Sequence, residues 1–172
     1  MQYARIPLDR IGVLIGENGS TKREIEKRTN TKLTIDDTSV SIEGDPIDEW
    51  STLDILRAIG RGFSPEIALR LTNPEYDFEL VEIDDIIGDS KKAITRIKGR
   101  VIGTKGKSKR VIEDITNTMI SIYGKTVGII GLRDDVSIAK EAIIMIISGS
   151  PHSTVYKFLE KSRVQGNFKP HE

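Results

Sequence analysis

The chain contains no cysteine among its 172 residues. Disulfides, a thiolate metal centre and a cysteine nucleophile are therefore excluded, and a reducing intracellular compartment is compatible with the composition. Histidine is almost as scarce: His152 and His171 both fall in the C-terminal tail. No Ser-His-Asp set is evident and no metal-ligating cluster recurs, so no catalytic residue, metal or cofactor is expected. Aromatic residues make up only 5%, which argues against surfaces that stack bases on successive rings. Long apolar runs are missing as well. The longest, AIIMII at 142–147, is far shorter than the roughly 20 residues that cross a bilayer. The N-terminal MQYARIPLDR lacks the apolar core of a signal peptide. The expectation is a cytoplasmic protein without membrane contact.

Net charge is zero, with 26 basic and 26 acidic residues, but the charges are segregated along the chain. Residues 1–63 carry −2, residues 64–89 carry −7, and residues 90–172 carry +9. Within the last, KKAITRIKGRVIGTKGKSKR (91–110) holds nine Lys or Arg and no acid. A localised basic region is the footprint of a polyanion site whatever the total charge. A lone basic helix could equally be a solvated face; the glycines beside this one bear on the choice.

An internal repeat organises the chain. Residues 12–36, GVLIGENGSTKREIEKRTNTKLTID, align without a gap to residues 99–123, GRVIGTKGKSKRVIEDITNTMISIY, with twelve of 25 positions identical. The same offset of 87 pairs Val40, Ile42 and Gly44 with Val127, Ile129 and Gly131, and Gly62 with Gly149. The expected layout is a first domain at 1–63, a helical connector at 64–75, a second domain at 76–150 and a C-terminal helical tail at 151–172.

Both copies read alike. YARIP (3–7) is a strand and Asp9 to Ile15 a short helix. GENG (16–19) is a turn, and 20–29 a second helix with Ile25 inward and Lys22, Arg23 and Lys27 outward. KLTI and SVSI are strands joined by a two-residue turn, Asp37-Thr38. A helix then opens at Asp45-Pro46, with Leu53, Leu56 and Ile59 on one face. The second copy repeats this with FELVEI (78–83), a helix ending at Ile102, GTKG (103–106), a helix over 107–116, strands MISI and VGII, and a helix over about 134–148. About seven extra residues, near IIGDSKK, separate its first strand from its first helix. The class is α+β: two tandem β-α-α-β-β-α units, each a three-stranded sheet with helices on one face. In the connector, Ser64 is placed to cap a helix whose first turn holds Pro65. In the tail, Ser153 or Thr154 is expected to cap a helix near His152.

The G-x-x-G turn has three possible uses. Gly106-Lys107-Ser108 resembles the end of a P-loop, but that motif requires a further glycine where Val101 stands, and a strand before the loop. Paired glycines can also be simple helix caps. Against this, both copies share an Ile before the first glycine and a Lys-Arg pair three residues after the second, Lys22-Arg23 and Lys109-Arg110. The third use is a clamp on a sugar-phosphate backbone. Two glycines admit the backbone closely, and a helix N-terminus presents N–H groups to an anion. KH domains grip about four nucleotides of single strand in this way.

Each unit resembles a type I KH domain, whose signature is I-G-x-x-G. IGRGFSPEIALRL (59–71), KGRVIGTKGKSKRVIEDIT, YGKTVGIIG (123–131) and SPHSTVYKFLE (150–160) together resemble, over nearly the whole chain, the archaeal relatives of the eukaryotic pre-ribosomal factor called partner of Nob, the Dim-two family. Without the long N-terminal extension of the eukaryotic members, the chain looks archaeal. The resemblance implies a small-subunit ribosome assembly factor. It would bind single-stranded rRNA near the 3′ end of the small-subunit precursor and cooperate with the endonuclease that matures that end. No oligomer is required, and a monomer is expected.

The two loops are unequal. Thr104-Lys105 puts a cation where KH loops face phosphate, whereas Glu17-Asn18 puts a carboxylate there. The second loop is therefore expected to read RNA. Ile102, Gly103, Thr104, Lys105 and Gly106 would form the clamp. Lys98, Arg100, Lys107, Lys109 and Arg110 would supply charge, with helical periodicity turning about half of these away from the ligand. Gly16, Gly19, Lys22 and Arg23 would contribute more weakly. The acidic segment 75–89 could keep RNA off one edge, dock a basic partner, or simply protect an edge strand. Two alternatives remain beside the ribosomal reading: a general KH module of RNA decay or translation, and a protein-docking scaffold with unused grooves.

Overall fold

The computed structural model describes residues 1–163; His171 and the end of the expected tail lie outside them. The chain divides into two compact units between Tyr76 and Asp77. The first contains β1 (Gln2–Arg5), α1 (Leu8–Ile15), α2 (Ser20–Thr29), β2 (Lys32–Asp36), β3 (Ser39–Glu43), α3 (Pro46–Gly60) and α4 (Pro65–Ala68). Its sheet order is β1-β3-β2, all antiparallel. The second contains β4 (Tyr76–Glu82), α5 (Ile83–Ile87), α6 (Lys91–Ile102), α7 (Lys107–Thr116), β5 (Met119–Tyr123), β6 (Thr126–Leu132), α8 (Arg133–Ile147) and α9 (His152–Ser162), with sheet order β4-β6-β5. This is the expected two-unit α+β architecture.

Period-2 alternation builds the strands. In β2, Leu33 is buried between exposed Lys32 and Thr34, so one face of the sheet is apolar and receives the helices. The hairpin turns by two residues, Asp36 pairing with Ser39, and Asp37 takes a left-handed conformation at φ 54°, which a short polar side chain tolerates. Helices α2 and α7 both stop at a left-handed Asn, Asn30 and Asn117, whose N–H bonds back to Glu26 and Glu113. The second core joins Ile94, Ile97 and Val101 of α6 to Ile112, Ile129, Ile143 and Ile146. Val155 and Leu159, one turn apart on α9, complete it.

The repeat extends to hydrogen bonds that the alignment cannot show. Thr29 meets Thr31 at 2.7 Å, and Thr116 meets Thr118 at 2.8 Å. Glu26 accepts from the Leu33 N–H and Glu113 from the Ile120 N–H, each at 3.1 Å. Each pair of bonds is 87 residues apart. The first strands keep a different offset. Ile6 N–H donates to Thr38 O, and Ile83 N–H to Lys125 O; Ile6 and Ile83 are 77 residues apart. The insertion is thus ten residues, not about seven. It forms α5, the Gly88–Ser90 loop and the first turn of α6. Lys125 bonds Asp89 in that loop, which raises the lysine pKa, with the Asp84 charge adding to the effect.

Two sequence expectations change at element ends. Ile83 begins α5 rather than ending the preceding strand. Neither Ser153 nor Thr154 caps α9: the helix starts at His152, and the Pro151 carbonyl accepts from Thr154 and Val155. In the connector, Ser64 Oγ does cap, accepting from Ile67 N–H at 3.3 Å. Ala68, Leu69 and Leu71 are buried, and α4 packs on α3 within the first unit.

The close approach of Gly44, just after β3, and Gly131, in β6, to the chain after the second helix gives a paired prediction. A Cβ on Gly44 would sit 3.0 Å from Thr31 Cγ2, and one on Gly131 2.9 Å from Thr118 Cγ2. Gly44→Ala and Gly131→Ala should each lose about 1–3 kcal/mol by overpacking, measured by urea unfolding. A loss in one only would show that the two frames have diverged there.

Candidate nucleic-acid interface

The site begins where α6 runs out at Ile102. Gly103 takes φ 76°, ψ 171°, and Thr104 to Gly106 make one tight turn before α7 opens at Lys107. A Cβ on Gly103 would lie 2.6 Å from the Ser108 backbone nitrogen, so only glycine fits between the two helices. Gly106 has open space around it and is glycine for its φ of 73°. The turn aims the first N–H groups of α7, the positive end of its dipole, outward.

Between the glycines, Lys105 holds a left-handed φ of 54°, a conformation that costs a long side chain about 1–2 kcal/mol. The first loop has the same backbone, with Asn18 at φ 52°, and Asn is better suited to it. The second loop thus keeps an exposed cation in a conformation its residue type disfavours.

The ten residues assigned to this loop separate in use. Ile102, Gly103, Thr104, Lys105 and Gly106 are contiguous around the turn, and Ile102 exposes an apolar side chain at its edge. Among the described residues, no hydrogen bond or ion pair engages the side chains of Lys98, Lys105, Lys107 or Arg110. Lys109 pairs with Glu113 at 3.3 Å. Arg100 points elsewhere: its guanidinium donates to Ile146 O and Ser150 O, both at 2.7 Å. Both donors lie on the terminal fork of the guanidinium, so Arg100 serves the C-terminal end of α8 rather than a phosphate.

The first loop has the same shape with its charges spent. A Cβ on Gly16 would overlap Thr21 Oγ1 at 2.2 Å. Arg23 folds back beside Gly19 and donates to Asn18 O at 2.7 Å. Lys22 pairs with Glu26 at 3.2 Å, and Glu17 stands exposed in the loop. The two cations assigned to it are engaged internally.

Sequence reasoning missed the arginine clamp. Arg10 grips Ile59 O and Phe63 O at 2.9 and 2.8 Å, positions equivalent to Ile146 and Ser150. Arg10 and Arg100 sit one helical turn apart in the alignment, so no repeated letter marks them. His152, expected near a helix start, opens α9. Its Nε2 lies 2.8 Å from Arg100 O; a carbonyl only accepts, so Nε2 carries the proton. That carbonyl belongs to the last turn of α6, where helical partners run out, and His152 therefore ties α9 to the helix that leads into the loop.

Two units of β-α-α-β-β-α order, each turning between helices through I-G-x-x-G, define a tandem type I KH protein. The family described as eukaryotic-type KH domain, KH domain type I, matches residues 77–164, and the KH domain family matches residues 2–49. A KH domain-containing protein of Methanocaldococcus jannaschii is 49% identical over 95% of this chain and 74% of its own length. A crystal structure of Dim2p from Pyrococcus horikoshii superposes with TM-score 0.87 at 48% identity, covering 93% of this chain and 98% of that one. Another, of aDim2p with a/eIF2alpha and rRNA from the same organism, gives TM-score 0.88 at 47% identity over 95% and 94%. The chain belongs to the Dim2/PNO1 family of KH proteins. It spans about half the length of the curated eukaryotic pno1 relatives it matches, 49% for the Dictyostelium discoideum protein.

Two predictions follow the loop geometry. Gly103→Ala should destabilise the second unit far more than Gly106→Ala, whose cost is the left-handed conformation alone, about 1–2 kcal/mol. Equal losses in denaturant titrations would contradict the contact with Ser108. Lys105→Asn should raise the unfolding midpoint while weakening RNA binding in a filter assay. A variant both more stable and equally tight would show that the lysine touches no RNA.

Proposed function

We propose that the protein binds single-stranded RNA during assembly of the small ribosomal subunit, near the 3′ end of its rRNA, and that the second loop is the reader. The observation that carries this reading is the unequal state of the two loops. Lys105 stands unpaired beside a helix N-terminus where the first loop has Asn18, and Arg110 is unpaired among the described residues where Arg23 bonds its own loop, although Lys22 and Lys109 pair alike with the glutamate four residues on. The rRNA in the Pyrococcus horikoshii aDim2p complex supports the choice of RNA. The pre-rRNA-processing role named for the yeast relative, 30% identical over 78% of this chain, supports the pathway.

In this reading the phosphate backbone passes over Gly103 and Gly106, where no Cβ obstructs it. Lys105 and the α7 N-terminus meet the phosphates. Ile102 contributes apolar contact to a base, and Lys98, Lys107 and Arg110 add attraction along the strand. The protein acts by binding and not by catalysis. Its further partner is the endonuclease that matures the small-subunit rRNA 3′ end, a role resting on the family resemblance. It works as a monomer in the cytoplasm; no described helix is long and apolar enough to cross a membrane.

The test is a titration of a short single strand matching the small-subunit rRNA 3′ end against a scrambled strand, at several salt concentrations. The wild type should prefer the native strand. If the four unpaired cations each neutralise a phosphate, log affinity should fall against log salt with a slope of about −3, from roughly 0.7 per contact. Thr104→Asp/Lys105→Asp should abolish binding, and Asn18→Asp should leave it nearly unchanged. Undiminished binding by the double variant would refute the clamp. Tight binding blind to sequence would leave a general KH module in place of the ribosomal assignment.

A further inference from the structure

The first turn of α3 exposes apolar side chains that neither the core nor the loop uses. Ile47 is 80% and Trp50 61% exposed. Three residues apart, they share a helix face. Met1 and Tyr3 are exposed too, but alternation along β1, which buries Ala4 and Ile6, turns Tyr3 to the sheet face away from the helices. Tyr3 Oη donates to Met1 Sδ at 3.0 Å, and the Met1 amino group pairs with Glu49 at 3.1 Å, between Ile47 and Trp50 in sequence. Two large apolar groups side by side in solvent on one turn mark an interaction site more often than scattered exposure does.

The repeat supplies an internal control. At the offset of 87, Ile47 and Trp50 correspond to Asp134 and Ser137 of α8, both exposed and polar. The same helix in the same frame therefore folds without apolar groups there. The fold does not require Ile47 or Trp50.

Charge selects the occupant. Glu43, Asp45 and Asp48 flank this turn, and among the described residues their carboxylates have no hydrogen-bond or ion-pair partner. Asp45 is the N-cap residue of α3 yet makes no side-chain cap bond. The cations nearby are the Met1 amino group, paired with Glu49, and Lys32, lying opposite Glu43 on the sheet. Three unpaired carboxylates repel a phosphate backbone and attract lysine or arginine. An exposed tryptophan gives such a cation a ring face and is the residue type that most often dominates protein interfaces.

We propose that this turn of α3 is a docking surface for a basic segment of another protein that offers apolar side chains between its lysines or arginines. The second unit then holds RNA while the first holds a protein, through different elements of one repeated fold.

Trp50 is the only tryptophan in the chain and reports on the surface directly. The probe is a helical peptide with leucines on one face, flanked by lysines, and its counterpart with glutamate for every lysine. The lysine peptide should shift Trp50 emission to the blue, saturably, and more weakly as salt rises. Ile47→Asp, the residue the second unit carries, should weaken binding at least tenfold with an unchanged thermal midpoint. Trp50→Ser should do the same by calorimetry. Equal binding of the glutamate peptide, or undiminished binding by Ile47→Asp, would overturn the proposal. So would an emission shift on concentrating the protein alone, which would give the surface to a second copy, or a shift on adding RNA.

Discussion

The structure depends on one contact, the approach of a helix start to the glycine that ends the helix before it. At Gly103 the following chain comes so near that a single added carbon would strike the Ser108 backbone. At Gly16 it would strike Thr21. That approach fixes the angle between the two helices, sends the residues between the glycines outward, and points the second helix's N-terminus at solvent. The cost of exposing an unsatisfied helix end falls on the same atoms that an anion would satisfy.

On this frame the two units differ in electrostatics rather than shape. The threonine pair, the glutamate strut to β2 or β5 and the asparagine stop are common to both. The loops match in backbone, down to a non-glycine residue in the left-handed region between the glycines. Lys22 and Lys109 pair alike with Glu26 and Glu113; what separates the loops is Lys105 in place of Asn18 and the fate of the arginine. Arg23 caps its own loop, whereas Arg110, its counterpart, has no partner among the described residues. A duplicated fold can divide its labour in this way: the frame stays under the constraint of packing while the surface drifts to separate ligands.

Much of this was legible in the sequence because it is written in periodicity and in glycine. The repeat register, the strand pairs and the I-G-x-x-G turn follow from residue types whose conformational limits are local. What escaped was long-range. Arg100 reads as one more member of a basic run, and its bonds reach across 46 and 50 residues to α8. Its counterpart Arg10 stands a turn away in the aligned helix, so the repeat hid the shared clamp rather than revealing it. The insertion was undercounted because strand β4 and helix α6 follow different offsets, which only the backbone bonds to Thr38 and Lys125 disclose. Exposed apolar groups such as Ile47 and Trp50 look, in sequence, like ordinary members of an amphipathic helix.

The central claim is that one loop holds RNA and the other does not. The most direct measurement is a map of backbone amide resonances during titration with the single-stranded rRNA 3′ end. The account predicts that amides from Gly103 to Arg110 move together and saturably, while those from Gly16 to Arg23 stay in place. Movement at the first loop, or saturation of RNA binding with the second loop undisturbed, would contradict it.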